Sequence, residues 1–348
     1  MKRLALALGI ASVFTLSWVM LAEIPLRVIG QPESTGLLQR AKEVPFFRDL
    51  AQTTGLPIKV TYLPLNMTGL KDTHQLQMLK EGEFDLVSLR FIQNSEVEPS
   101  LQGIDLVGLY ADYETARRVV LHYSDTVDRY LGENFATRLL GVWTFGPQVF
   151  FCRPPIRGIE DLAGLKVRVA SSSMATLIAA LGGIPAIIPF DDTKNALAIG
   201  LVDCAITSAA SANFAGWPEH CHYYFPLAVQ FGLNGYAISL KKWNQLTPKE
   251  REILQGAFDA YVEDLWRFSK ETHQDASDCI IGRPCRNGTP NQLTLVEPSP
   301  QDVQIFKEIS QTRLLPEWAE KCEKVHPGCR QEWEQKVLPQ VLVLGSKT

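Results

Sequence analysis

The first chemical question is set by one arginine. Arg168 stands between Val167 and Val169 in the run KVRVA (166–170), directly before Ser171, Ser172 and Ser173. A guanidinium keeps its proton at any working pH, so burying one in a strand is costly unless an anion or a fork of acceptors meets it. Its planar fork of donors matches a carboxylate bidentately, which makes organic-acid binding the chemistry to test. The structural alternative is an arginine paired with a neighbouring Asp or Glu. The adjacent serines could act as nucleophiles, but no histidine is placed by sequence to activate them. They suit the cap of a helix beginning SSMATLIAAL, where hydroxyls satisfy free backbone N–H groups and the helix N-terminus helps hold an anion. The patterns G-x-S-x-G, H-E-x-x-H, G-x-x-x-x-G-K-[ST] and a dinucleotide G-x-G-x-x-G followed by an acidic residue are all absent, which argues against an enzyme.

Seven cysteines follow residue 150. In an oxidising compartment CIIGRPC (279–285) and CEKVHPGC (322–329) read as two short staples, with crossed pairing equally allowed. An odd count leaves at least one thiol free, and Cys152 in the apolar run QVFFC reads as the buried one. Cys322, His326 and Cys329, and likewise His220, Cys221 and His222, lack a full ligand set at standard zinc spacing, so neither a metal nor another cofactor is expected.

The elements that must position Arg168 follow from length and pattern. At 348 residues and 46% hydrophobic, the chain has material for two cores. Its net charge of −4 and lack of a basic block exclude nucleic acid as an expected partner. Lys2 and Arg3 open an apolar stretch ending near Ala22, the pattern of an export signal over 1–22; a retained membrane anchor is the other reading. Beyond it, IPLRVIG (24–30), PIKVTYLPL (57–65) and FDLVSLR (84–90) alternate with helical stretches, one of them kinked near Pro45. That order predicts a parallel sheet with helices on both faces.

GVWTFGPQVFFCR (141–153) is long enough to cross into a second lobe as one strand. There KVRVA, PAIIPF (185–190) and CAITS (204–208) repeat the alternation, and Asp191 or Asp192 is placed to cap the helix between the last two. FGLNGYAIS (231–239), which carries Asn234, returns the chain to the first lobe. Thr247, Pro248 and Glu250 then form a capping box before a helix of nearly thirty residues, about 40 Å long. The predicted fold class is α/β, a two-lobed periplasmic binding protein fold with hinge strands and a long bridging helix. The first lobe is expected over 23–145 and 236–275, and the second over 146–235 and 276–348 with the C-terminal helices packed on it.

The run EDLAGLKVRVASSSMATLIAALGGIPAIIPFDDTKNALAIGLVDCAITS resembles the core of the DctP-type solute receptors of tripartite ATP-independent periplasmic (TRAP) transporters. Their pattern joins a "DLKGLKIRVP" strand, an "LGA-P-PM-F-EVY-AL-GVVDG" run and a long bridging helix. The resemblance implies a periplasmic receptor that closes on an organic acid and docks on TRAP permease subunits, with Arg168 taking the carboxylate. A receptor serving a signalling kinase and, less favoured, an exported enzyme are the alternatives. Where the family often has a second arginine after the crossover tryptophan, this chain has Gln148; Thr207 and Ser208 stand where Asn or Gln is common, and Phe190 is retained as an apolar wall. Lys194 replaces a tyrosine. At the ends of first-lobe strands, where ligands of open sheets bind, lie Gln31, Ser88 and Arg90. Phe190, Phe214 and Trp217 would suit an aromatic acid, whereas Arg90 facing the cleft would suit a dicarboxylate or keto acid.

Overall fold

The computed structural model describes residues 23–342, so the expected export signal over 1–22 lies outside the described residues. Two sheets form the architecture. In chain order the strands are β1 (Ile24–Gly30), β2 (Ile58–Pro64), β3 (Leu86–Arg90), β4 (Thr137–Thr144), β5 (Gln148–Cys152), β6 (Lys166–Val169), β7 (Ile184–Ile187), β8 (Cys204–Ser208), β9 (Tyr223–Phe225), β10 (Leu233–Ser239) and β11 (Thr294–Leu295). The first sheet is ordered β2-β1-β3-β10-β4 and the second β11-β9-β5-β8-β6-β7. Neither is purely parallel. β1 runs parallel to β2 and β3, but β10 lies antiparallel to both β3 and β4. In the second sheet β5 is antiparallel to β8 and β9. The antiparallel strands are the ones where the chain passes between sheets, so crossover direction overrides the local β-α-β order.

The run 141–153 is two strands in different sheets. Thr144 ends the first; its Oγ1 accepts from Gly146 N at 2.8 Å, and Gly146 takes a φ of +92°, a left-handed conformation that suits glycine. Pro147 follows with no N–H to continue a ladder. Pro45 has a related effect. The helix Val44–Thr54 is entered through a π-helical turn at Gln39–Glu43, because the ring of Pro45 conflicts with the carbonyl one turn back and the extra residue relieves it.

Thr247 and Glu250 make the capping box, and the helix they open runs Pro248–Ile280, 33 residues. That is about 50 Å at 1.5 Å per residue. Its first half packs on the first sheet through Leu254, Phe258 and Leu265, with Trp266 Nε1 donating to Val142 O at 2.8 Å. Its last turns, Ala276 and Ile280, belong to a core of the second sheet. One helix therefore spans both.

The tail departs from expectation. Pro300–Ile309 does pack on the second sheet, with Phe306 in its core. The helices Leu315–Val325 and Cys329–Lys336 instead join the core of the first. Trp318 Nε1 donates to Pro99 O at 2.8 Å and Trp333 Nε1 to Gly103 O at 2.7 Å; buried indoles need such acceptors, and these lie on the first lobe. The cysteine expectation also needs correction. Cys152 is not free: it bonds Cys204, its direct cross-strand partner in the β5–β8 register. Cys279–Cys285 and Cys322–Cys329 are the two staples, and the buried free thiol is Cys221.

Candidate functional site

Arg168 is 3% exposed and lies across the C-terminal ends of the second sheet's strands. Its Nε donates to Ile188 O, just past β7, at 2.8 Å, and its Nη1 to Ile206 O, within β8, at 2.9 Å. Two carbonyls thus fix the guanidinium plane. Among the described residues no carboxylate forms an ion pair with it, and Nη2 has no protein partner. The indole of Trp217 lies beneath, 5.4 Å from Cζ, and Trp217 itself packs on Phe190 at 5.0 Å. Burial first, and then the charge of Arg90, pull the Arg168 pKa down to about 9, so the group is still cationic at neutral pH.

A cavity of about 40 Å³ is lined by Arg168, Phe190, Gln148 and Thr207 from one side and by Arg90 and Asn234 from the other. It opens into a wider cleft of about 610 Å³ that shares Arg90, Arg168 and Phe190 and extends to Asp72, Ser172 and Asp191. Arg90, at the end of β3, donates from Nη1 to Asp72 Oδ2 at 2.8 Å. Its backbone N–H is held by Gln75 Oε1 at 2.9 Å, while its Nε is buried without a partner among the described residues. Burial lowers the Arg90 pKa; Asp72 and Asp191 oppose that shift.

The four remaining expected residues do not line the cavity. Gln31 and Ser88 stand one layer behind it: Gln31 Nε2 donates to Ser88 Oγ at 3.1 Å and to Asn234 Oδ1 at 3.4 Å. Asn234 Nδ2 in turn donates to Gly232 O at 2.9 Å. Beneath them Glu43, fully buried, accepts from Gln31 N at 2.7 Å, Tyr62 OH at 2.9 Å and Tyr236 OH at 3.0 Å; burial raises its pKa although every donor opposes this. Ser208 is 0% exposed and caps Ala209–Phe214, leaving Ser211 to line the cavity. Trp217 is also 0% exposed, a floor under Arg168 and not a wall.

Phe214 covers Gly36 at the outside of the cleft, where a Cβ would lie 2.5 Å from its ring. Lys194 pairs with Glu219 at 2.9 Å. Asp191 and Asp192 sit in the first turn of Phe190–Ala198, but the N-cap is Pro189, so neither caps. Ser171 does cap its helix, accepting from Met174 N at 3.3 Å, and Ser172 donates across the cleft to Glu96. Sequence reasoning missed Thr35, Gln93 and Phe145 on the lining, and Asp72 beside Arg90. Phe145 alone carried a signal, standing just before the Gly146-Pro147 break.

Two mixed α/β lobes joined by crossover strands and one long helix, with a cleft at their strand ends, define a two-lobed binding protein. The chain belongs to the bacterial extracellular solute-binding protein family 7, DctP, whose model matches residues 32–321; it is a DctP-type receptor of the TRAP class. It is 24% identical over 237 residues to the C4-dicarboxylate-binding periplasmic protein DctP of Rhodobacter capsulatus, covering 66% of this chain and 70% of that one. The fold is similar to DctP7, a Bordetella pertussis extracytoplasmic solute receptor binding pyroglutamic acid, with a TM-score of 0.78 at 15% identity, covering 90% of this chain and 99% of that one. It is also similar to a TRAP periplasmic solute-binding protein of Desulfovibrio salexigens with bound orotic acid, with a TM-score of 0.79 at 14% identity, covering 91% and 98%. Among the described residues no helix is long and apolar enough to cross a membrane, and no group of His, Cys, Asp and Glu is arranged to hold a metal ion.

Proposed function

We propose that this chain captures an organic carboxylate between its lobes in the periplasm, after export through residues 1–22, and delivers it to the membrane permease of a TRAP transporter. It acts as a binder and turns nothing over. The observation that carries the reading is the Arg168 guanidinium: buried, held flat by two main-chain carbonyls, without a protein carboxylate among the described residues, and with one nitrogen open to the cavity. A ligand carboxylate supplies the missing charge and completes the hydrogen bonding. Because the cavity is lined from both lobes, contacts made only when they meet favour the closed form by their differential free energy. Affinity and the shape the permease reads then come from the same bonds.

The test is mass spectrometry of small molecules released from denatured native protein, followed by a thermal-shift screen of organic acids and their neutral amides. A ligand bound only by the folded state raises the melting temperature. Acids are expected to shift it and the amides to do nothing; equal shifts from acid and amide would reject the reading.

A further inference from the structure

The charges around the cleft do not treat a second carboxylate as they treat the first. Arg168 has no carboxylate partner among the described residues. Arg90, the only other ionised group on the inner cavity among the described residues, is ion-paired to Asp72 at 2.8 Å and also feels Asp191. Both carboxylates open onto the wider cleft beside it. The remaining charged groups there are Lys71, which is exposed, and Glu96, which is met by Ser172 and by Lys321 at 3.3 Å. The cleft's cations (Arg90, Arg168, Lys71) and anions (Asp72, Asp191, Glu96) therefore balance before any ligand enters. Apart from the two arginines the polar lining of the inner cavity is neutral: Gln148 and Thr207 on the side of Arg168 and Asn234 on the side of Arg90 are all buried, and Thr207 Oγ1 has no hydrogen bond to protein among the described residues.

We propose that the site selects a monocarboxylate whose far end is an uncharged hydrogen-bonding group, and that Asp72 and Asp191 are the residues that reject a dicarboxylate. This rests on the carboxylate reading of Arg168 and sharpens it. A second carboxylate placed toward Arg90 meets Asp72, which already holds that guanidinium, and the like charge of Asp191 on the same cleft. Such juxtaposition costs more than a second partner for Arg90 returns. An amide or hydroxyl at the ligand's far end donates to or accepts from Gln148, Asn234 and Thr207 without that repulsion.

The experiment is calorimetric titration of the full receptor with matched pairs in which an amide replaces one carboxylate: succinamate against succinate, glutaramate against glutarate, terephthalamate against terephthalate. A thermal-shift panel of mono- and dicarboxylates matched in carbon number accompanies it. The monoanion of each binding pair is expected to bind at least about tenfold tighter. Asp72→Asn and Asp191→Asn should each shrink that ratio; Asp191 is exposed, so its variant tests the point even if Asp72→Asn disturbs Arg90 and the fold. A tighter dianion, or a ratio that neither variant moves, overturns the selectivity while leaving Arg168 as the carboxylate site. A panel with no binder of either kind overturns both.

Discussion

Replacing Asp105 with asparagine tests whether the crossover beside the cavity hangs on one buried carboxylate. Asp105 is 2% exposed, and its Oδ1 accepts from Phe231 N at 2.8 Å and Tyr110 OH at 3.0 Å. Its Oδ2 accepts from Leu233 N at 3.0 Å and Gln230 Nε2 at 3.3 Å. Every neighbour is a donor. Asparagine has the same shape but only one acceptor oxygen, so in either orientation its NH₂ faces a backbone N–H that cannot rotate away. Each buried donor left without an acceptor costs roughly 1–3 kcal/mol, and two are created, which gives about 2–6 kcal/mol of lost stability. Urea unfolding followed by tryptophan fluorescence at neutral pH reads that difference. Because Gly232 and Leu233 line the cavity, ligand affinity should fall as well. A loss below about 1 kcal/mol would refute the reasoning, since no single orphaned donor would then be accounted for. The same variant has a pH signature. Burial pushes the Asp105 carboxyl up to about 6 from its ordinary 3.8. Through that interval the folded protein holds more protons than the unfolded chain, so this group's contribution to stability falls as pH rises. Asp105→Asn removes that slope; an unchanged slope contradicts the assignment.

Gly232→Ala places a Cβ 2.5 Å from Gln148 Nε2 at a φ of +59°, and should cost about 1–2 kcal/mol of stability and weaken ligand binding; unchanged affinity would show that Gln148 takes no part. Thiol titration should find no reactive group in the native protein and one after denaturation without reductant, with peptide mapping linking Cys152 to Cys204; a free Cys152 peptide would break the β5–β8 account. Trp318→Phe, which keeps an aromatic ring but loses the bond to Pro99 O, should cost about 1 kcal/mol in urea unfolding, against about 3–5 for Trp318→Ala. Equal costs would mean that the indole packs without anchoring.

What the sequence makes legible is what local chemistry fixes. The capping box at Thr247, the cap at Ser171 and the long helix follow from residues within a few positions of each other, and the structure has all three. Arg168 stands out because an unneutralisable charge among valines needs a partner wherever the strand goes. Partners set by tertiary register are not legible. QVFFC reads as buried, and it is, but nothing local says that Cys152 faces Cys204 across the sheet, 52 residues away. Asp72 sits in a short 3₁₀ turn with no periodicity, so its pairing with Arg90 could not be anticipated, although it changes what Arg90 offers a ligand. Gln31 follows the end of β1, as geometry suggested, whereas Ser88 is the middle residue of β3; both fill the layer behind the cavity, with Asn234 on its lining. Trp318 and Trp333 could pack on either lobe by composition; the carbonyls of Pro99 and Gly103 decide which.

The proposed role of the Arg168 guanidinium is to receive the ligand's carboxylate. The most direct measurement is calorimetry of the acid recovered from the native protein, titrated into wild-type, Arg168→Ala and Arg168→Lys receptors whose folding has been checked by circular dichroism. Loss of a buried charge pair predicts binding weaker by about 2–5 kcal/mol in Arg168→Ala. Arg168→Lys should recover little of it, because an ammonium cannot reproduce the planar fork that donates to the carbonyls of Ile188 and Ile206 while presenting a further N–H to the ligand. Wild-type affinity in a folded Arg168→Ala protein would contradict the account.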